Sequence, residues 1–455
     1  MSIFLFLILL FGLQFLCFLS AEYSAKKMKG NDDYFLGGKQ LSFFPLMMTC
    51  IATQVGGGLV LGAADEAYHY GWQVLFYPLG AALGMMVLGM GVGQRLAALD
   101  VPTVAQIFEK VYGSPLLKKG ASLLSITSLF MILVAQFIAS SKFMLGLGIE
   151  STWIFVGFWA IVIAYTSLGG FKAVVSTDLI QASFFIGAFI LAFVWSVFFS
   201  DLSVPRVFES GLMKELPMAS EKLVAWLLMP LFFILIEQDM AQRCFAADAP
   251  KTIKRAAICS GLCVLIICSI PVWFGIAARE SGIVVESGAS VLMTGIQTLT
   301  HPWIAPIVAC AVLAAIISTA DSLINAISSN LNQDFKFTLF GSNEVRSAQI
   351  ATMVISVSGL VCSFFFDSIV SMLIQSYELS ISCLFISVFF ALFKKKGHAL
   401  SASLSIAFGG IAFVLFRFLS IDSFREIYSI GFSLGGYLIG EAIMALRGAG
   451  RAYAH

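Results

Sequence analysis

Thirteen times along this 455-residue chain an apolar stretch runs long enough to cross a bilayer. A hydrocarbon core about 30 Å thick is spanned by about 20 helical residues. The stretches occupy residues 2–19, 41–64, 72–95, 121–147, 152–168, 177–200, 223–243, 254–278, 303–330, 347–366, 368–393, 398–418 and 426–446. Backbone polar groups in hydrocarbon must be satisfied within the segment, so stretches of this kind are helices. The expected fold is an all-α membrane protein with about 13 transmembrane helices. Composition agrees: 59% of residues are hydrophobic, 12% are charged and the mean hydropathy is +0.94. A soluble domain has about 45–50% apolar and about 25% charged residues.

The same numbers exclude several functions. A net charge of +1 gives no basic field for nucleic acid. The nine Cys are scattered singly through apolar stretches with no Cys-x-x-Cys, as buried hydrophobes are. His69, His301, His398 and His455 lie far apart, without ligand spacing. No organic cofactor is expected. No loop exceeds about 25 residues, too short for a soluble catalytic or signalling domain of about 50 residues or more. The first stretch lacks the basic n-region and cleavage site of a signal peptide, so it is expected to remain as a helix.

Basic residues set the orientation. Lys142, Arg206, Lys214, Lys222, Arg279, Arg417 and Arg425 fall on one face, and the other 20 of the 27 Lys and Arg fall on the face that holds residues 20–40. That face is expected to be cytoplasmic, with the N-terminus outside, the C-terminus inside and the protein in the plasma (inner) membrane.

Transporter sites lie where helices are interrupted near mid-membrane. In the second stretch, Thr53-Gln54-Val55-Gly56-Gly57-Gly58 sets three glycines beside two polar residues. Glycine weakens a helix by about 1 kcal/mol relative to alanine. The segment reads as an unwound site or as close packing through small residues. Five spans later, Pro230 marks the expected counterpart break, or a simple proline kink. The ninth stretch carries Ser318-Thr319-Ala320-Asp321-Ser322. The adjacent hydroxyls of Ser318 and Thr319, with the Ala315 carbonyl one turn away, form an oxygen set suited to a hard cation. The alternative is hydroxyls bonded back to their own helix.

Ionisable residues within spans are functional candidates because burying them is costly. Asp178 and Asp321 lie in the cytoplasmic half, and Glu378 lies mid-span with no partner apparent in sequence. Glu237, Asp239 and Arg243 read as an interfacial ion-pair network.

These motifs resemble those of the sodium/solute symporter family, which includes sodium/glucose cotransporters, proline permeases and choline transporters. The resemblance runs through Tyr34-Phe35-Leu36-Gly37-Gly38, the Ala52–Gly58 segment, Tyr165-Thr166-Ser167-Leu168-Gly169-Gly170-Phe171-Lys172-Ala173-Val174, Thr177–Gln181, Gln242-Arg243 and Ser318–Ser322. It implies a leucine-transporter-type core of two inverted five-helix repeats, residues 41–200 and 223–393. One helix (2–19) precedes the core and two (398–446) follow it. It further implies a sodium site made by the carbonyls of Ala52, Val55 and Ala315 with the hydroxyls of Ser318 and Thr319. A second sodium site would match Asp178, Ser318, Asp321 and Ser322. The solute pocket would match Gln54, Gly56, Gly58, Leu59, Tyr77, Pro78, Ala81, Gln136, Phe232 and Phe233.

Gln54 stands where choline transporters carry a tryptophan, which argues against an aromatic cage for a quaternary ammonium. Pro78 and Gly58 stand at positions that are acidic in sugar carriers. A small amino acid, carboxylate or similar polar metabolite is the expected solute, taken up with Na⁺ by alternating access. The alternatives are proton coupling through Asp178, Asp321 or Glu378, and, in another class, a membrane sensor or an intramembrane enzyme. Neither a soluble output domain nor a catalytic motif supports those last two, and nothing in the sequence fixes the oligomeric state.

Overall fold

The structure, a computed structural model, describes residues 2–26, 31–212, 218–285, 289–336, 344–366, 369–394, 396–420 and 423–452. Lys27, Lys29, Lys214 and Lys395, counted in the charge asymmetry, lie outside the described residues. Among those described there is no β-strand, only one isolated bridge between Leu41 and Ala247.

The helices are α1 (Ile3–Ala25), α2 (Asn31–Leu36), α3 (Phe43–Gln54), α4 (Ala63–Tyr70), α5 (Phe76–Val87), α6 (Gly93–Ala98) and α7 (Gln106–Tyr112). Then come α8 (Pro115–Gly146), α9 (Thr152–Phe198), α10 (Val204–Gly211), α11 (Ser220–Ile234), α12 (Gln238–Ala246) and α13 (Pro250–Glu280). The chain continues through α14 (Val291–Leu299), α15 (Ile304–Phe335), α16 (Glu344–Cys362), α17 (Ile369–Ser380), α18 (Ile386–Phe393), α19 (Ala399–Phe418) and α20 (Arg425–Ala452). Helix starts follow local rules: Ser114 caps α8 by accepting from Leu117 N at 3.2 Å, with Pro115 in the first turn.

Ten of these segments are long and apolar enough to cross a membrane, or eleven if the bent pair α11–α12 is one span. The sequence expectation of about thirteen is larger because some stretches merge. Residues 152–168 and 177–200 fall in the single 47-residue α9, and residues 58–98 run on with their helical turns nearly unbroken. At 1.5 Å per residue α9 would reach about 70 Å if straight, more than twice the hydrocarbon core. It does not run straight. Gly170, at φ 52° and ψ −147°, breaks it between the two expected stretches.

α15 is the axis of the bundle. Its most apolar window is 94% buried, against 28% for α1 and for α20. It packs against α8, α9 and α16, and α3 lies along it where the Gly-Gly-Gly segment begins. α19 and α20 pair mainly with each other, with Ser405 Oγ and Ser433 Oγ 2.9 Å apart, and meet the rest mainly through α17, residues 381–385 and α18. Small residues and hydroxyls suit close helix contact in lipid, where apolar surface gains little by association.

Gly170 fixes how α2 docks: a Cβ there would stand 2.5 Å from the Tyr34 carbonyl oxygen. Its backbone angles are also ones that only glycine adopts readily. Gly170→Ala is expected to destabilise the protein by at least about 2 kcal/mol. A lowered unfolding midpoint of the purified protein in mild detergent would show it, and an unchanged midpoint would refute the requirement.

Candidate functional site

The chain turns out of helix at Gln54. Val55 takes φ −83° and ψ 83°, and helical turns resume at Gly57–Gly58. The three glycines serve a purpose other than the one their flexibility suggests, because none has a positive φ. They permit close approach: a Cβ on Gly56 would lie 2.6 Å from Thr319 Oγ1, and one on Gly57 would lie 3.0 Å from Ala139 Cβ. Unwinding and tight packing, alternatives at the level of sequence, occur together.

Opposite the break, α15 presents Ser318 and Thr319. Ser318 Oγ lies 2.8 Å from Ala52 O and 3.0 Å from Ala315 O. Thr319 Oγ1 lies 3.0 Å from Thr53 O, 3.2 Å from Ala315 O and 3.5 Å from Ala52 O. Two hydroxyl hydrogens thus face three carbonyls in five contacts, and each hydroxyl can donate only once. The cluster is rich in oxygen and short of hydrogens, as the donor set of a hard cation should be. Val55, fully buried, sits at the break itself.

The second expected cation site already holds a cation from the chain. Arg243, buried on α12, donates from Nη2 to Asp178 Oδ2 at 3.1 Å and to Ser322 Oγ at 2.7 Å. Its Nε reaches Thr49 Oγ1 at 3.0 Å, and Thr49 Oγ1 donates to the same Asp178 oxygen at 2.5 Å. Asp321 turns away from this group. It accepts from Tyr165 Oη at 2.9 Å and Thr166 Oγ1 at 2.5 Å. The expected interfacial network of Glu237, Asp239 and Arg243 is corrected accordingly: the carboxylate that pairs with Arg243 is Asp178, and Asp239 offers its main-chain oxygen, 3.0 Å from Nη1. Glu378 also has partners that the sequence did not reveal, Arg417 at 2.8 Å and Arg425 at 3.3 Å, both beyond the two five-helix stretches.

Between the broken α3 and the α11–α12 bend lies a cavity of about 40 Å³. Gln54, Gly56, Gly58, Leu59, Tyr77, Ala81, Gln136 and Phe233 line it, as expected. Phe232 does not. Its ring packs on Phe385 with centroids 4.5 Å apart, because neighbours on a helix point about 100° apart and only one of the two can face inward. Pro78 is buried beside the cavity without lining it. Pro230 is not the counterpart break either: it lies inside α11, and the 42° bend falls after Ile234, before Gln238. Thr53, Pro230, Glu237, Thr319 and Tyr377 also line the cavity. Of these, Glu237 carried the clearest sequence signal, an acid inside an apolar stretch, but its place near Arg243 suggested the wrong partner.

Above the cavity a vestibule of about 530 Å³ opens to the face that carries Glu66, Glu221, Lys222, Arg425 and Glu426. Both spaces share Gly58, Tyr77, Pro230, Leu373 and Tyr377, and the Tyr77 and Tyr377 hydroxyls meet at 3.3 Å between them. The opposite face is tied shut. Asp334 on α15 accepts from Thr103 Oγ1 at 2.6 Å and Ser122 Oγ at 2.7 Å, and Gln238 Oε1 accepts from Val104 N at 2.7 Å. On that face Lys39 donates to Asp100 at 2.6 Å, a hydrogen bond that holds this exposed carboxyl below its ordinary range.

A profile of the sodium:solute symporter family matches residues 34–409. The chain belongs to that family. It is 28% identical to the sodium/proline symporter of Haemophilus influenzae over 365 residues, 73% of this chain and 70% of that one. It is 25% identical to the sodium/sialic acid symporter of Proteus mirabilis over 404 residues, 78% and 76% of the two chains. Its fold matches that of a Na⁺-coupled sialic acid symporter solved in a substrate-bound outward-open state (TM-score 0.79, 19% identity, 96% and 97% coverage). A nucleobase-cation-symport-1 family transporter in a closed conformation is more distant (TM-score 0.59, 14% identity, 91% and 95% coverage).

Family membership makes this symporter a sodium-coupled secondary transporter that works by alternating access, not an enzyme. Its solute is a small molecule and its coupling ion is Na⁺.

The buried pair has a measurable consequence. Arg243→Gln leaves Asp178 charged in the core without its partner and is expected to cost about 3–5 kcal/mol. Adding Asp178→Asn should recover most of that loss, which unfolding of both variants in detergent would measure. A double variant no more stable than Arg243→Gln would show that the guanidinium acts through something other than Asp178.

Proposed function

We propose that the symporter takes up a small polar organic solute, an amino acid or similar small metabolite, together with one sodium ion. The observation that carries this is the hydrogen-poor oxygen cluster where the broken α3 meets α15. Ala52, Val55, Ala315, Ser318 and Thr319 would hold the ion. Gln54, Gly56, Gly58, Leu59, Tyr77, Ala81, Gln136 and Phe233 would contact the solute. At the second place, where Asp178 and Ser322 were expected to hold another sodium, the Arg243 guanidinium supplies the positive charge, which supports a single ion. Names of the relatives support the solute class only broadly, since one moves proline and another sialic acid.

The vestibule would face outside, because the opposite face carries 20 of the 27 Lys and Arg of the sequence. Thirteen spans, with the N-terminus outside and the C-terminus in the cytoplasm, fit if α9 and the 58–98 segment each cross twice. Residues 41–200 and 223–393 would be the inverted repeats. The Leu41–Ala247 bridge supports that arrangement. Leu41 N donates to Ala246 O and Asp248 N to Leu41 O, both at 3.0 Å. It thus joins the start of one repeat's first helix to the end of the other's, as inversion requires. One chain holds every residue named, so a monomer suffices.

Sodium entering from the vestibule would draw the Ala52 and Val55 carbonyls toward Ser318 and Thr319 and fix the broken helix against α15. That fixes the wall of the solute cavity, since Gln54, Gly56 and Thr319 line it. Thr319 thus belongs to both sites. Binding of either partner favours the other by the same factor. Breaking the ties at Asp334 and Gln238 then opens the inner side, and the membrane potential contributes about 2.3 kcal/mol per charge per 100 mV. Proton coupling is the second reading. Of the three acids it rested on, Asp178 and Glu378 are ion-paired, and Asp321 is bonded by hydroxyls.

Ser318→Ala and Thr319→Ala are each expected to raise the sodium concentration for half-maximal uptake about tenfold, with protein still in the membrane. Unchanged sodium dependence in both would refute the site, and uptake driven by a pH gradient without sodium would favour proton coupling. Substitution of Gln54 should change solute selectivity more than sodium dependence in competition uptake assays. An unchanged preference would make Gln54 a structural residue.

A further inference from the structure

We propose that the solute carries a positively charged nitrogen and that the Glu237 carboxylate receives it. This rests on the cavity between α3 and the α11–α12 bend being the solute site. Glu237 stands at that bend as the residue before α12, is 7% exposed and lines the cavity. Its hydrogen-bond partners are the Asp239 carboxyl and Gln54 Nε2, the latter at 3.4 Å, long for a bond to a carboxylate. No Lys, Arg or His is among the described residues that line the cavity. The nearby cation is committed elsewhere, because the Arg243 side chain is spent on Asp178, Ser322, Thr49 and the Asp239 main-chain oxygen.

Charge counting sharpens the point. Glu237, Asp239 and Asp178 are all buried here and share one guanidinium. Asp239 Oδ1 accepts from Met240 N at 2.6 Å, a helix-start contact that absorbs part of its charge. Glu237 and Asp239 also hydrogen-bond to each other through their carboxyl groups, so the two hold one proton between them and one negative charge that Arg243, paired with Asp178, does not balance. A buried carboxylate without a counter-charge is costly, and the space beside this one is the cavity. An ammonium group placed there supplies the missing charge.

Other parts of the cavity suit the remainder of such a solute. Gln136 Oε1 accepts from Gly57 N at 3.0 Å, which leaves its amide nitrogen as a donor for a carbonyl or carboxylate oxygen. Ala81, Gly56, Gly58 and Pro230 leave little room for a long side chain. The class that fits is a compact amine-bearing acid or amide. Bare anions would set a second negative charge against Glu237. A site built around a polar group rejects the analogue lacking its partner strongly, because the site's own group is then left unpaired.

The test uses purified full-length protein in lipid nanodiscs and follows its thermal unfolding in NaCl and in KCl. The probes are pairs that differ at one position: L-proline with tetrahydrofuran-2-carboxylate, and L-alanine with L-lactate, together with N-acetylneuraminate and pantothenate as amine-free acids. In NaCl, stabilisation is expected from an amine-bearing member and at least about a hundredfold weaker half-saturation from its oxygen partner. Glu237→Gln should remove that preference, and Glu237→Asp should retain it in part. The sodium-induced shift of each variant reports that it is folded. Amine-free acids that stabilise the wild type as well as the amines do would overturn the proposal, as would Glu237→Gln keeping the full preference. Amine binding that is indifferent to sodium and to Ser318→Ala would leave the ammonium assignment standing and would sink the sodium coupling beneath it.

Discussion

The core of this symporter is organised around one buried guanidinium. Arg243 is brought in by α12 and reaches Thr49 on α3, Asp178 on α9 and Ser322 on α15. Those elements flank the cluster of carbonyls and hydroxyls at the α3 break and the cavity beside it, so the hydrogen bonds of one side chain set their spacing. A buried pair is weak as a source of net stability, since desolvation offsets most of the attraction. Its strength lies in position. Displacement of any one helix leaves a charge or a hydroxyl without its partner in a medium that offers no substitute.

The same guanidinium explains a division of labour along α15. Ser318 and Thr319 turn toward the α3 break, Ser322 turns toward Arg243, and Asp321 turns toward α9 and its Tyr165 and Thr166. Four residues within one five-residue run therefore serve three environments, as the roughly 100° step of a helix allows. In the proposed function a mobile cation is needed only where no residue of the chain provides one. That place is the gap left by the broken helix, open toward the cavity through Thr319.

Much of this was legible in the sequence because the bilayer restricts what a chain can do. The helical class, the break after Gln54 and the oxygen donors on the ninth stretch follow from apolar length, a glycine run and hydroxyl spacing, whereas the residues around the cavity came only through the family resemblance. What escaped was everything set by the direction of a side chain across the bundle. Sequence placed Arg243 beside Glu237 and Asp239, and only packing shows it turned to Asp178, 65 residues away. Phe232 and Phe233 are adjacent, and which of them faces inward depends on how α11 is rotated. Pro230 drew attention as the punctuating residue, yet α11 runs through it: the missing hydrogen bond at Trp226 O kinks less than the run of Leu235, Ile236 and Glu237 does. Gly170, which breaks the longest helix, does fall between the two stretches expected from sequence.

The two breaks differ in what they offer, and that difference bears on coupling. The first, after Gln54, frees main-chain carbonyls beside two hydroxyls, which makes it attractive to a cation and indifferent to its shape. At the second, after Ile234, a single carboxylate faces the cavity with a long contact to Gln54. Gln54 is thus the last residue of the helix whose carbonyls meet the Ser318 and Thr319 hydroxyls and also the neighbour of the acid at the opposite break. In the proposed function, sodium bound at that cluster would fix the end of α3 and the Gln54 side chain with it, and so the surroundings of Glu237. The route from ion to solute then needs no long pathway: it is one residue wide, between a carbonyl cluster and a carboxylate on facing broken helices. Closing that gap from either side stiffens the other, which is the physical content of symport in a bundle with one vestibule open and the far face tied by Asp334 and Gln238.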